Sequence, residues 1–199
     1  MFWRRKQPTH WKQIYGWFQW RSGQEEAVQH FDDGSRFVEV GVFLGRSVCS
    51  LGELVQQSGK RLFVVGIDTC RGSGIEGRKQ KDFHAVWVKK GGGTFAGTLH
   101  RNVVHCGLAD TVSLLISDSV RAASFFADRS LAWVHLDARH DRESLIADIA
   151  AWLPKVRSGG WLTGDDYDHE KWPEVVATID ETLPHARPWS VKQWRLIVE

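Results

Sequence analysis

The stretch RFVEVGVFLGRSVCSLGELVQQSGKRLFVVGID, residues 36–68, decides the fold. It opens on a short apolar, β-branched run, RFVEVG (36–41), of the kind that forms a buried strand. Behind it, Leu44, Val48, Leu51 and Val55 recur at intervals of four, three and four residues, one face of a helix that Gly59 closes. RLFVVGID (61–68) returns to strand character. Strand, helix and strand in direct succession predict a parallel βαβ unit.

The alternation continues towards the C-terminus. After a glycine-rich loop (Gly72, Gly74, Gly77), residues from about 79 to 107 read as one or two helices broken at Gly91-Gly92-Gly93. VSLLI (112–116) is a third strand, 120–126 a short helix and LAWVHLD (131–137) a fourth strand. The next helix spans about 142–156, with Leu145, Ile149, Leu153 and Val156 on one stripe and a stop at Gly159-Gly160. GWLTG (160–164), a helix around 173–183 and a last strand or hairpin over 186–198 follow. The expected architecture is α/β, Rossmann-like and doubly wound: a mostly parallel sheet of seven strands or slightly fewer, with helices on both faces. Residues 33–199 form the main body. Residues 1–32, basic and aromatic, are expected to form a helical cap or lid within a single-domain chain.

Composition sets the outer bounds. The 199 residues are 42% hydrophobic and 25% charged, an ordinary globular balance. A net charge of +2 gives little pull on nucleic acid, and no apolar run suggests a signal peptide or a membrane partner. Cys49, Cys70 and Cys106 are odd in number and widely spaced, which fits neither a disulfide framework nor a zinc site and points to the cytoplasm.

In a doubly wound sheet, ligands bind beyond the carboxyl ends of the strands. Gly41, Asp68, Asp118, Asp137, Asp165 and Asp166 all fall at such ends. In EVGVFLGRS (39–47), Gly41 and Gly45 allow a tight turn and close approach to a ligand, and Ser47 joins the free N–H groups of a helix start. The spacing is G-x-x-x-G, without the third glycine that admits a pyrophosphate. Asp68 sits where a carboxylate accepts hydrogen bonds from a ribose diol, and SDS (117–119) ends the third strand. Together these favour a nucleoside ligand without a pyrophosphate.

EVGVFLGRS resembles the first motif of class I S-adenosylmethionine-dependent methyltransferases, the catechol O-methyltransferase type in particular. VHLDARHDRESLIADIAAWLPKVRSGGWLTGDDYDH (134–169) resembles the small metal-dependent O-methyltransferase branch that includes macrocin O-methyltransferase. The resemblance covers residues 36 to about 175. It implies that Glu39, Gly41, Phe43, Gly45 and Ser47 line the methionine end of the cofactor, that Asp68 holds the ribose, and that Asp118 and Ser119 lie by the adenine, with Asp137 at the cofactor's edge. It also implies a Mg²⁺ or other divalent cation on Asp137, Asp165 and Asp166, oxygen donors suited to a hard ion. His140 falls where those families keep a general base, and an imidazole of pKa ~6.5 is apt for it. The expected reaction is direct SN2 transfer of a methyl group to a hydroxyl of a small molecule: a sugar, a catechol or a natural-product diol.

Arg139 departs from the family pattern. It either pairs with Asp141, competes with the cation, or holds an anionic substrate. The loop 72–80 is expected to act as a lid. Two other readings stay open: a diverged, cephalosporin hydroxylase-like member of the fold, and a non-catalytic module binding RNA or protein through WRRKQPTHWKQIYGWFQW (3–20). Amphipathic helices that cover the cofactor site or make a homodimer contact are the favoured reading of that segment.

Overall fold

The structure, a computed structural model, describes residues 7–74 and 82–199. Arg4, Arg5 and Lys6, and most of the expected lid loop (75–80), lie outside the described residues. Seven strands form one sheet: β1 (Arg36–Val40), β2 (Phe63–Asp68), β3 (Val112–Ile116), β4 (Leu131–Leu136), β5 (Val156–Gly164), β6 (Arg187–Trp189) and β7 (Gln193–Ile197). Their order is β3-β2-β1-β4-β5-β7-β6, parallel through β5, with β7 antiparallel to both β5 and β6. Strand order reverses beside β1, next to β4, so the carboxyl ends of β1 and β4 flank the crevice where ligands bind in such sheets.

The central strands are apolar because both faces are covered. On one face, Phe37, Trp133 and Trp161 pack with α1 (Arg21–His30) and α2 (Arg46–Ser58). On the other, Val38, Val134 and Leu162 pack with α6 (Arg142–Trp152) and α7 (Pro173–Thr182). The short helices α3 (Ala85–Lys90), α4 (Ala96–His105) and α5 (Ser119–Ala123) fill the remaining connections. Among the described residues, no helix is long and apolar enough to cross a membrane.

Three expectations are corrected. The helix expected over 142–156 ends at Trp152 in a 3-10 turn (Leu153–Lys155), because Pro154 cannot continue it; Val156 and the glycine pair belong to β5. The short helix spans Ser119–Ala123, one residue earlier at its start than expected, because Asp118 caps it by accepting the N–H of Arg121 at 3.2 Å. In the N-terminal segment a single 3-10 turn (Trp11–Gln13) precedes an extended strap and then α1. Trp11, Ile14, Trp20, Ala27, Val28 and Phe31 are buried in the same core as β1 and α2.

Candidate active site

The turn after β1 is shaped by close chain contacts. Gly41 has φ +90°, and a Cβ there would fall 1.9 Å from the carbonyl oxygen of Asp137, so β1 and β4 approach too closely for any side chain. Gly45, φ +91°, precedes α2, and its Cβ would lie 2.9 Å from Leu99 of α4. The backbone freedom expected to admit a ligand serves here to bring strand and helix together; Gly45 lines neither cleft. Between them, Phe43 takes a left-handed φ of 47°.

Asp68, ending β2, holds that turn. Its Oδ2 accepts the Phe43 N–H and its Oδ1 the Cys70 N–H, both at 2.7 Å. Burial pushes its pKa up to about 6 against the lowering effect of these two bonds. Each carboxylate oxygen keeps a further lone pair, enough for a ribose hydroxyl.

Glu39 lies one strand position before the turn, fully buried, and accepts the Ser47 hydroxyl at Oε1. Its Oε2 is buried with no hydrogen-bond partner. Burial above all, with Asp137 and Asp165 nearby, raises its pKa to about 8. Glu39 lines neither cleft; Ser47 stands between it and the open space.

Two clefts open along the rim. The smaller, about 400 Å³, is bordered by Asp68, Ser117, Asp118, Ser119 and Asp148. Ser119 Oγ accepts the Trp152 Nε1–H at 3.0 Å, which fixes α5 against α6. The larger, about 520 Å³, reaches from Tyr15 and Trp17 to Asp166 and Trp172. They share Gly41, Phe43, Ser73, His84, Asp137 and Ala138 as a common border.

The acidic end lies on this border. His140 Nε2 is 2.9 Å from Asp166 Oδ2 and 3.6 Å from Asp137 Oδ1. One donor atom from each of these three residues falls within 4.8 Å of the others. Asp166 adopts a left-handed φ of 56°, a strained position for a residue with a side chain. Asp165, expected as a third ligand, stands outside the trio, and its Oδ1 accepts the Asp166 N–H at 2.8 Å. Burial, then Asp137 and Asp166, push its pKa up. Arg139 pairs with Asp141 at 2.7 Å and donates to the Ser73 carbonyl at 2.8 Å, the first of its three expected alternatives.

Several lining residues carry no sequence signal. Trp172 stacks on His140, with ring centroids 4.6 Å apart at 29°. The Tyr15 and Trp17 rings pack on Phe43, Phe83 packs edge-on to Trp17, and together they line the larger cleft. His84, on the shared border, sits 3.1 Å from Ser73 Oγ and packs edge-on against Phe43. None of these follows from spacing, because they come from an extended strap and irregular loops.

Residues 38–167 match the family described as methyltransferase domain. No curated protein matches the chain. Among solved structures, the O-methyltransferase NovP superposes with a TM-score of 0.62 at 17% identity, over 89% of this chain and 78% of that one. CalS11, a calicheamicin methyltransferase, gives 0.58 at 17%, over 89% and 76%. An rRNA methylase from Streptococcus thermophilus gives 0.57 at 13%, over 89% and 95%. At these identities the likeness is one of fold.

Proposed function

The chain belongs to the methyltransferase-domain family, and for an S-adenosylmethionine-dependent methyltransferase with this rim we propose methyl transfer to a hydroxyl oxygen of a small molecule, with Mg²⁺ or another divalent cation at the acidic cluster and His140 as general base. The observation that carries the proposal is the trio of Asp137, His140 and Asp166 gathered within 4.8 Å, with Asp137 lining both clefts.

The donor set suits a cation. Asp137 and Asp166 offer hard carboxylate oxygens, and Asp165 adds a third acid whose pKa is raised partly by those neighbours. Mutual repulsion of this kind is relieved when a positive charge binds. When bound, S-adenosylmethionine supplies an electrophilic methyl group and a divalent cation supplies Lewis acidity towards the acceptor hydroxyl.

The chain's own residues do the rest. His140 receives the hydroxyl proton on its imidazole, and the carboxylates of Asp166 and Asp137, which face its Nε2, stabilise the imidazolium that results. Trp172 holds the imidazole plane by stacking. Asp68 and the residues around Ser119 bind the nucleoside in the smaller cleft, leaving the larger for the acceptor. Most of the rate comes from bringing the two substrates together across the shared border.

The imidazole within the trio favours one alternative. Imidazole suits Mn²⁺ or Zn²⁺ better than Mg²⁺, and a His140 that ligates the ion is unavailable as a base. Calorimetric titration with S-adenosylmethionine, with Mg²⁺ and again with a chelator, followed by assays on catechols and sugars, tests both readings. Cofactor binding in both conditions and turnover only with the cation are expected. His140→Ala and Asp137→Asn should lower kcat by about a hundred- to ten-thousand-fold while cofactor affinity stays within a few-fold. Full activity in either variant would sink the assigned roles. Activity restored by Mn²⁺ or Zn²⁺ and not by Mg²⁺ favours the ligating histidine.

A further inference from the structure

The three cysteines lie far apart in the sequence, yet the fold brings two of them together. Cys49 is on α2 and fully buried; Cys106, half-buried, caps the end of α4. The two helices meet along a ladder of contacts. Asn102 Nδ2 donates to the Leu44 carbonyl at 2.9 Å, and Leu99 packs against Gly45, where a Cβ would fall 2.9 Å from its Cδ1. Further along, Leu108 packs on Gly52, where a Cβ would fall 3.2 Å from it. Cys49 stands between Gly45 and Gly52, and Cys106 between Asn102 and Leu108, so the same ladder carries the two thiols into hydrogen-bonding contact. Cys70, fully buried, lies instead against Asp68, which accepts its N–H.

We propose that Cys49 and Cys106 form a reversible disulfide when the protein meets a hydroperoxide, joining α2 to α4 beside the turn that follows β1. Cys106 is the thiol that reacts first. It alone of the three is partly exposed, and the hydrogen bond from Cys49 lowers its pKa from the ordinary thiol value, which favours the reactive thiolate. Its sulfur attacks the peroxide, the O–O bond breaks, and Cys106 becomes a sulfenic acid while the released hydroxide takes a proton from solvent to give water. Cys49, whose pKa the same contact and burial raise, stays a thiol out of reach of peroxide. It then attacks the Cys106 sulfur, the S–O bond breaks, and the departing hydroxyl carries off the Cys49 proton as a second water. Two thiols have then given two electrons and two protons to one peroxide. Bonding draws the sulfurs closer than contact distance. Because α2 and α4 already touch at Gly45 and Leu99, the movement falls on Leu44 and Gly45, within the turn that leads to Ser47. Oxidation therefore weakens cofactor binding, a consequence that rests on the cofactor site proposed above; the disulfide itself does not.

Treatment of the whole chain with hydrogen peroxide, read by mass spectrometry, tests the proposal. Trypsin leaves the three cysteines in separate peptides (47–60, 62–71 and 102–121), so each pairing gives its own linked mass. A stoichiometric dose should link the first peptide to the third and leave the intact monomer two hydrogens lighter, and dithiothreitol should reverse both changes. In Cys49→Ala the Cys106 sulfenic acid has no partner and should be captured by dimedone; in Cys106→Ser the remaining thiols should stay reduced at the same dose. Calorimetry with S-adenosylmethionine should show affinity at least about five-fold lower after oxidation, restored by dithiothreitol, and untouched by peroxide in Cys106→Ser. A linkage to Cys70, a dimer linked between chains, or a wild-type Cys106 that runs on to sulfinic acid beside a free Cys49 overturns the proposal. A disulfide that forms with cofactor affinity unchanged overturns its coupling to the turn. No cofactor binding by the reduced protein counts against the cofactor site instead, and the linked mass still decides the disulfide.

Discussion

Gly41 shows how a single residue couples the fold to the site. Its missing side chain lets the Asp137 carbonyl approach the end of β1, which places the Asp137 carboxylate on the border of both clefts. Gly41→Ala combines an unfavourable positive φ with a contact of 1.9 Å to backbone, and neither atom can move without displacing a central strand. It should destabilise the protein by roughly 3 kcal/mol or more, seen as a lower midpoint in urea. A midpoint within experimental error of wild type would mean that β1 and β4 separate easily. Phe43, Cys70 and Asp166 add left-handed, non-glycine positions around the same rim. Asp68 supports the first two by accepting their N–H groups. Strain of this kind persists where the surroundings fix it, and it collects at functional sites.

At the scale of elements, the N-terminal strap belongs to the core as much as to the surface. Trp20 packs its ring 3.9 Å from His135 on β4 and edge-on to Trp133, filling the space between α1 and the sheet. Trp20→Ala should therefore lower stability by about 3–5 kcal/mol, the range for truncating a large buried aromatic. A loss below about 1 kcal/mol in thermal or chemical unfolding would show that the strap is dispensable to the core. The sequence made the βαβ unit legible because its strands are short apolar runs and α2 carries one clear stripe. It made Asp137 and His140 legible because an acid ending a buried strand has few structural reasons to be there. The strap was obscure because an extended segment that buries Trp11, Ile14 and Trp20 has no helical period to read. The end of α6 is not legible in the pattern, because the stripe from Leu145 to Val156 runs on past Pro154, where backbone chemistry outweighs it. Asp165 shows a further limit: type and spacing put a carboxyl near the cluster, but only the turn into Asp166 decides which oxygens point inward.

At the scale of the whole molecule, the buried acids tie stability to pH. Glu39 holds its proton up to about pH 8 in the folded chain, against 4.5 for the free group. Asp68 and Asp148 hold theirs to about 6, against 3.8, because burial penalises the charged form. Between those limits the unfolded chain has released protons that the folded chain retains, so stability falls as pH rises. The aspartates contribute to this loss from about pH 4 to 6, and Glu39 extends it to about pH 8. His135 acts in the opposite direction. Burial lowers its pKa from 6.5 to about 3, so the unfolded chain alone takes up that proton as pH drops below 6.5. Above pH 6.5 His135 no longer offsets the acids, and Glu39 carries the slope together with Asp165, which burial and the neighbouring Asp137 and Asp166 also keep protonated. The cofactor-free protein should therefore lose melting temperature between pH 6.5 and 8, and Glu39→Gln should make that limb shallower, leaving the part that Asp165 carries, while stability below about pH 4 is unchanged. The glutamine keeps the shape and an acceptor for the Ser47 hydroxyl but carries no proton to lose. An equally steep limb in the variant would assign the slope to Asp165 or another group and remove Glu39 from it.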